Sequence, residues 1–536
     1  MKSLPILTRR DFLRLAGLGS GALLLAACSP RWPDQLAPAL PGGTTPGAPA
    51  SLQPTLPTLA PAAPLEIDLR TAPGEVNILP GPATRVWQYQ GQVVQGDRNA
   101  YQTLTEAYPG PILRLQRGQE LRVHFRNDMP ASDRQPTTIH WHGLHVPEEM
   151  DGHPRYAISG GESYEYHFKV LNRAGTYWFH PHPHGLTGPQ VYYGLAGLLI
   201  VSDEEDAAAG LPSGEFDLPL VIQDRTFDQD NQLIYTPNPM TGFFGERILV
   251  NGQMHNALSV AAQPYRLRLL NGSNARIYKL AWDDHSPLTV IATDGGLLEK
   301  PVSREYITLA PGERVELWAD FSAYSPGQEL RLKSLAFSTG SGGMGSMMIG
   351  GSLPNGAPLE VLRVRIDRPG AADQPLPPRL SDPGFYAPQA AEKQRRIALA
   401  MQHMTHSLNG RTFVMDEVAK DEVVRLGSME TWEFANLGGG RMGMMMGGAG
   451  EPHPMHLHAV QFQVIERQVE RGYQREYATL SAGFVDEGWK DTVLVLPGER
   501  VVILVKFEGF PGVYLYHCHN LEHEDSGMMR NFRIEV

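Results

Sequence analysis

The chain has 536 residues, 42% hydrophobic and 19% charged, enough for three or four packed domains and too apolar for global disorder. Its 46 basic and 58 acidic side chains leave a net charge of -12, which argues against a nucleic-acid partner. Only two cysteines occur, Cys28 and Cys518, so a disulfide framework is excluded, whereas nineteen histidines and nineteen methionines invite metal chemistry.

The first segment, residues 1–28, reads as an export signal. Arg9-Arg10 precede an apolar run from Leu15 to Ala27, shorter than the ~20 residues that span a bilayer. The adjacent arginines mark the twin-arginine route. Leu25-Ala26-Ala27-Cys28 resembles a lipobox, in which the cysteine is lipidated and becomes the mature N-terminus. The alternative is an ordinary cleaved signal with an incidental Cys28. Residues 29–64, rich in Pro and Ala, then make sense as a flexible tether. The expected location is the periplasm or cell envelope, with the body monomeric and lipid-anchored.

Beyond residue 64 the chain alternates in strand fashion. Leu121, Val123 and Phe125 interleave with Arg122, His124 and Arg126, and 44 prolines and 56 glycines punctuate such runs. Two internal echoes appear. Pro311-Gly312-Glu313-Arg314-Val315 matches Pro497-Gly498-Glu499-Arg500-Val501. Gly175-Thr176-Tyr177-Trp178-Phe179-His180-Pro181-His182 matches Gly512-Val513-Tyr514-Leu515-Tyr516-His517-Cys518-His519. The fold class is therefore all-β, with three consecutive Greek-key β-sandwich domains at 65–204, 205–370 and 390–536. A Pro-rich linker at 371–389 joins the last two. The middle domain reaches its corresponding strand at Glu329–Phe337 without a histidine, so it is expected to be structural and without metal ligands.

Histidines fall in four clusters: His140/His142, His180/His182, His453/His456/His458, and His517/His519 with His523 following. Side chains on a strand alternate faces every ~3.3 Å, so an H-x-H pair aims two imidazoles the same way. At 517–519 the two histidines face one side and Cys518 the other. A metal on the thiolate is then joined through one residue's backbone to metals on both imidazoles. Two His, one Cys and a long axial Met make a blue-copper site, for which His453, Cys518, His523 and Met528 are the candidates. A structural zinc site would want a closed, cysteine-rich set.

These motifs, H-x-H-G, H-x-H, H-P-x-H-x-H and H-C-H-x3-H-x4-M, resemble those of a multicopper oxidase of the bacterial laccase and copper-efflux oxidase type, over residues ~65–536. The resemblance implies cupredoxin-like domains and four coppers per chain. It places His140 and His456 on a type 2 copper. It places His142, His180, His182, His458, His517 and His519 on a type 3 pair. The implied reaction takes single electrons from Cu(I) or phenolic molecules at the type 1 copper and reduces O2 to water at the trinuclear cluster. The first and third domains must pack together, because each supplies half of that cluster. Asp151 and Glu524 match the family's acids on the proton path. A two-domain nitrite reductase would lack this length and the H-C-H pattern. A copper-free scaffold would have lost ligands, and a copper store would not need H-C-H.

Two methionine groups lie in glycine-rich stretches: Met344, Met347 and Met348, then Met442, Met444, Met445 and Met446. Thioethers select Cu(I), and the second group sits just before His453, with Glu451 the nearest acid. This resembles the Met-rich segments of cuprous oxidases, although no Asp immediately precedes H-P-x-H here. His184 is expected at the surface or supporting the site, and His145, His403 and His406 carry no assignment.

Overall fold

The structure is a computed structural model that describes residue 60 and residues 62–104, 108–130, 135–254, 257–339, 353–370, 374–402, 405–436 and 450–536. The export signal, Cys28, His403 and both methionine groups lie outside these residues.

Alternation places the strands as expected. In Glu120–Asn127 the side chains of Leu121, Val123 and Phe125 are fully buried, while Arg122, His124 and Arg126 lie on the outer face. Six sheets result, of four and four strands in the first sandwich, seven and five in the second, and five and five in the third. Each sheet contains one parallel pair. Leu65–Thr71 runs parallel to Leu121–Asn127, Arg266–Asn271 to Asp217–Ile222, and Lys393–Ala398 to Glu430–Ala435. The partner sheets repeat the pattern at Ile112–Gln116, Ala257–Ala262 and Val423–Arg425. A parallel neighbour needs a crossover rather than a hairpin, so the chain must pass between layers in the same way three times.

Three hydrophobic cores follow, one inside each sandwich. The strand Pro264–Asn271 of the middle domain is buried along its whole length, including Arg266 and Arg268. Those charges are answered by Glu316, whose two oxygens accept from Arg266 Nε and Arg268 Nη1 at 2.7 Å each. Glu316 also accepts from Thr176 Oγ1 of the first domain at 2.7 Å. The segment connecting the last two domains is packed down as well. Leu380 is buried, and Ser381 Oγ donates to the carbonyls of Leu297 and Leu298 at 3.0 and 2.9 Å.

The Pro-Gly-Glu echo has a physical cause. Gly312 and Gly498 both have positive φ, +82° and +72°, which only glycine adopts without strain. The next residue's carboxylate then folds back onto the N–H three positions earlier: Ala310 N donates to Glu313, and Leu496 N to Glu499, at 2.7 Å each. A third copy escapes a search for Pro-Gly-Glu. Gly118 has φ +88°, and Gln116 N donates to Gln119 Oε1 at 3.0 Å, ahead of the matching strand of the first domain. There an amide does the carboxylate's work.

Glu499 is fully buried and also accepts from Arg467 Nη1 at 3.0 Å. Glu499→Ala is expected to cost about 2 kcal/mol, because it orphans the buried Leu496 N–H, while Arg467 loses one acceptor and keeps Asp486. Glu499→Gln, the amide solution of the first domain, is expected to retain most of that stability in denaturant unfolding. An equal fall in both variants would mean that the charge, not the turn, is what matters.

Candidate metal centre

His140 sits just before a turn and pairs with His180 through two backbone hydrogen bonds, His140 N to His180 O at 2.8 Å and His180 N to His140 O at 3.1 Å. On the third domain His456 lies opposite His517, and Met455 opposite Cys518, across an antiparallel pair. These two ladders meet at the seam between the domains. His140 Nε2 lies 3.3 Å from His456 Nε2, and His182 Nε2 lies 3.2 Å from His517 Nε2, which is 3.1 Å from His458 Nε2. His142 Nδ1 approaches His180 Nε2 at 3.4 Å, with the His519 ring 5.0 and 5.4 Å from those two rings. Two nitrogens each about 2.0 Å from one tetrahedral metal stand about 3.3 Å apart. The spacing is that of ligands.

The outward nitrogens decide the tautomers. His140 Nδ1 donates to Asp151 O, His456 Nδ1 to Asp491 O, and His180 Nδ1 to Pro181 O, at 2.8 to 2.9 Å. His517 Nδ1 donates to Cys518 O at 3.1 Å, and His458 Nδ1 to Asp151 Oδ2 at 2.7 Å. With the proton held outside, each inward nitrogen is a bare lone pair. Both nitrogens of His519 lack a partner among the described residues. All eight rings are at most 1% exposed. Burial, followed by the neighbouring imidazoles, holds His142, His180, His182, His456, His458 and His517 well below the usual imidazole range. Burial takes His519 to about 3. Eight buried imidazoles with nitrogens converging on one another fit a cationic cluster.

A second convergence lies on the other face of the Gly512–Cys518 strand. Cys518 Sγ is 3.5 Å from His453 Nδ1 and 3.6 Å from His523 Nδ1, and those nitrogens are 3.3 Å apart. Met528 is fully buried, and its carbonyl accepts from Cys518 N at 3.0 Å, tying it to the same turn. Burial pushes the Cys518 thiol up, so a thiolate there needs a cation beside it. Asn520 N donates to the sulfur at 3.4 Å.

Asp151, fully buried, holds two ligands at once: its carbonyl takes His140 and its carboxylate His458. Burial raises its carboxyl. Gly152 follows with φ +80°, where a Cβ would lie 2.7 Å from His140 Cα. Glu524 accepts from Thr187 Oγ1 at 2.6 Å and reaches His182 Nε2 at 3.5 Å and His517 Nδ1 at 3.3 Å. Burial, then the Asp525 charge, holds its carboxyl well above the usual range.

Two residues at these sites carry no sequence signal of their own. Asp525, next to Glu524, accepts from Thr187 N and Gly188 N at 2.9 and 2.8 Å, and burial lifts its carboxyl to about 8. The Glu-Asp pair was legible, but nothing in the spacing separates it from a solvated one. His406, unassigned in the sequence, lies with its ring 3.9 Å from that of His523, tilted by 34°, and donates through Nε2 to Met240 O at 3.1 Å. His184, in contrast, is exposed beside Phe413, and His145 packs near Phe510. Glu451 lies two residues before His453, where its carbonyl accepts from Asn436 Nδ2 at 2.8 Å.

Three stretches match family models described as multicopper oxidase, at residues 81–206, 219–328 and 386–536. A laccase of Bacillus stratosphericus is 30% identical over 502 residues, covering 84% of this chain and 90% of that protein. The McoA multicopper oxidase of Aquifex aeolicus is 33% identical with a TM-score of 0.73, over 90% of this chain and 100% of that one. The laccase-like CueO of Ochrobactrum sp. is 30% identical with a TM-score of 0.70, over 90% and 100%. The chain belongs to the multicopper oxidase family. It is a three-domain, cupredoxin-type oxidoreductase that carries copper and couples oxidation of its substrates to reduction of O2.

The depressed imidazoles set an acid limit for the copper-free protein. Between about 3, where His519 titrates in the fold, and the ordinary 6.5, the unfolded chain binds protons that the folded one refuses. Stability therefore falls as pH drops through this window, by up to about 1.4 kcal/mol per pH unit for each such histidine. Denaturant midpoints of copper-free protein at pH 7, 6 and 5 measure it. A flat profile would mean that the rings are already charged in the fold.

Proposed function

We propose that His453, Cys518, His523 and Met528 hold a type 1 copper. His140 and His456 hold a type 2 copper, and His142, His180, His182, His458, His517 and His519 hold a type 3 pair, four coppers per chain. The observation that carries this is the division of six of the eight rings, those of His140, His142, His180, His456, His458 and His517, into an outward N–H with its own acceptor and an inward bare nitrogen. Copper bound at these sites would supply a one-electron acceptor at the cysteine and, at the histidine cluster, a place where four electrons taken singly from substrate, with four protons, convert O2 into two waters.

The protein's own residues do the rest. Cys518 is bonded directly to His517 and His519, so the two sites are joined through a single residue on either side. Glu524 keeps a proton on its carboxyl between His182 and His517, with Thr187 Oγ1 donating to it and Asp525 held beside it by the Thr187 and Gly188 N–H groups. Asp151 holds His140 and His458 in register and is the second acid near the cluster.

The substrates are Cu(I), phenolic molecules, or both. The laccase relative, and the lignin-model activity named for the Ochrobactrum CueO, support aromatic substrates. The soft donors Met442, Met444, Met445 and Met446, with Glu451, support Cu(I). The chain is a monomer exported by the twin-arginine route to the periplasm or cell envelope and tethered through lipidated Cys28. Arg9-Arg10 and Leu25-Ala26-Ala27-Cys28 support this. No helix among the described residues is long and apolar enough to cross a membrane.

Elemental analysis of copper-loaded protein should give about four coppers per chain, in keeping with the ligand count. Cys518→Ser should abolish the blue colour and turnover while the histidine cluster keeps its copper. One copper per loaded chain, or blue colour surviving in the variant, would overturn the assignment.

The methionines are tested separately. Changing Met442, Met444, Met445 and Met446 together to Leu keeps bulk but removes sulfur. Cu(I) oxidation should fall about tenfold, or ~1.4 kcal/mol, with phenol oxidation held. A parallel fall in both activities would assign the methionines to support of the fold beside His453.

A further inference from the structure

Among its described residues the middle domain supplies no histidine to the cluster, yet its Pro311–Val315 turn enters the seam where the other two domains meet. Arg314, fully buried, uses all five of its N–H donors there. Nη1 and Nη2 take the two carboxylate oxygens of Asp491, in the third domain, at 2.7 and 2.6 Å. Nε donates to Thr176 O of the first domain at 3.0 Å, and the remaining donors take Gly312 O and Asp294 O at 3.0 Å each. One side chain thus touches all three domains.

Asp491 in turn grips two of the histidines. Its carboxylate accepts from His142 Nε2 at 3.0 Å, which leaves His142 Nδ1 bare toward His180. Its carbonyl accepts from His456 Nδ1 at 2.8 Å. On the same turn, Gly312 abuts His519: a Cβ at that position would lie 3.0 Å from the ring.

We propose that the middle domain positions the trinuclear ligands, with Arg314 fixing Asp491, Asp491 setting the orientation and tautomer of His142, and Gly312 seating His519. This rests on the reading that the eight histidines hold copper. A planar guanidinium holds a carboxylate at both oxygens and so fixes its rotation, whereas an ammonium is a point charge that leaves it free to turn. Partners one step behind a metal ligand govern affinity by 10–100-fold in general. Arg314 and Asp491 are positioning residues.

The fold contains its own control. Arg500 occupies the same place in the matching turn of the third domain, and it makes no ion pair among the described residues. It is only partly buried.

The test compares holoenzyme carrying Arg314→Lys, Asp491→Asn and Arg500→Lys with the parent. It follows loss of copper to a chelator, blue colour, and melting temperature with and without copper. Arg314→Lys and Asp491→Asn should release cluster copper at least tenfold more readily while the blue colour of the type 1 site persists. Arg500→Lys should match the parent. If Arg314→Lys does not fold, Asp491→Asn decides, since it keeps shape and its amide oxygen can still accept. Variants that melt earlier but retain copper like the parent would reduce the Arg314–Asp491 pair to an interdomain staple and overturn the proposal. A parent with copper only at the blue site would overturn the eight-histidine reading, and the proposal with it.

Discussion

Everything in this molecule answers to eight imidazoles buried together at a domain seam. Removal from water depresses the basicity of seven of them, His142, His180, His182, His456, His458, His517 and His519, and inward lone pairs repel one another unless a cation lies between them. The protein makes the arrangement tolerable by giving most of the outward N–H groups a fixed acceptor. Those acceptors are largely main-chain carbonyls, of Asp151, Pro181, Asp491 and Cys518. A carbonyl does not titrate and cannot swing away, so ring orientation is inherited from the backbone.

Such a site demands that two domains be held to fractions of an ångström, and the middle domain is built for that. It is stitched to the third by Thr308 Oγ1 to Leu480 O at 2.7 Å, Gly295 N to Trp489 O at 2.8 Å, and Leu521 N to Asn274 O at 3.1 Å. Asn274 Nδ2 also donates to Glu522 at 2.8 Å, in the helical turn that carries His523 and Glu524. Toward the first domain, Glu316 takes Thr176 while pairing Arg266 and Arg268. Buried ion pairs gain little net stability, but they are strongly directional, and removing one partner is costly. Direction is what the seam requires.

The two metal-binding regions are kept apart by the simplest property of a strand. His517 turns toward His182 while Cys518 turns into the third core beside His453 and His523. Opposite faces of one strand thus separate the cysteine site from the histidine cluster with no loss of covalent continuity. The acids beside the cluster come from a different element. The helix Leu521–Asp525 packs against Thr187–Tyr193, where Glu524 and Asp525 share the Thr187 side chain and backbone.

How much of this was legible in the sequence follows from the range of the interactions. Period-two alternation and H-x-H spacing are local, so Leu121, Val123 and Phe125 announced a core face, and His140, His142, His180 and His182 announced paired imidazoles. His517-Cys518-His519 announced the division of two sites, because alternation needs no knowledge of the rest of the fold. The Pro-Gly-Glu turn was visible twice and invisible once, since Gln119 forms the same hydrogen bond with a different chemical group. What tertiary structure alone decided is which residues stand behind the ligands. His406 comes from an unassigned position onto His523, and Arg314 comes from a domain whose described residues give the cluster no histidine, to brace Asp491 and, through it, His142. Neighbours hundreds of residues apart leave no period or spacing in the chain. They are set by how three sandwiches dock, and docking depends on the summed fit of whole surfaces.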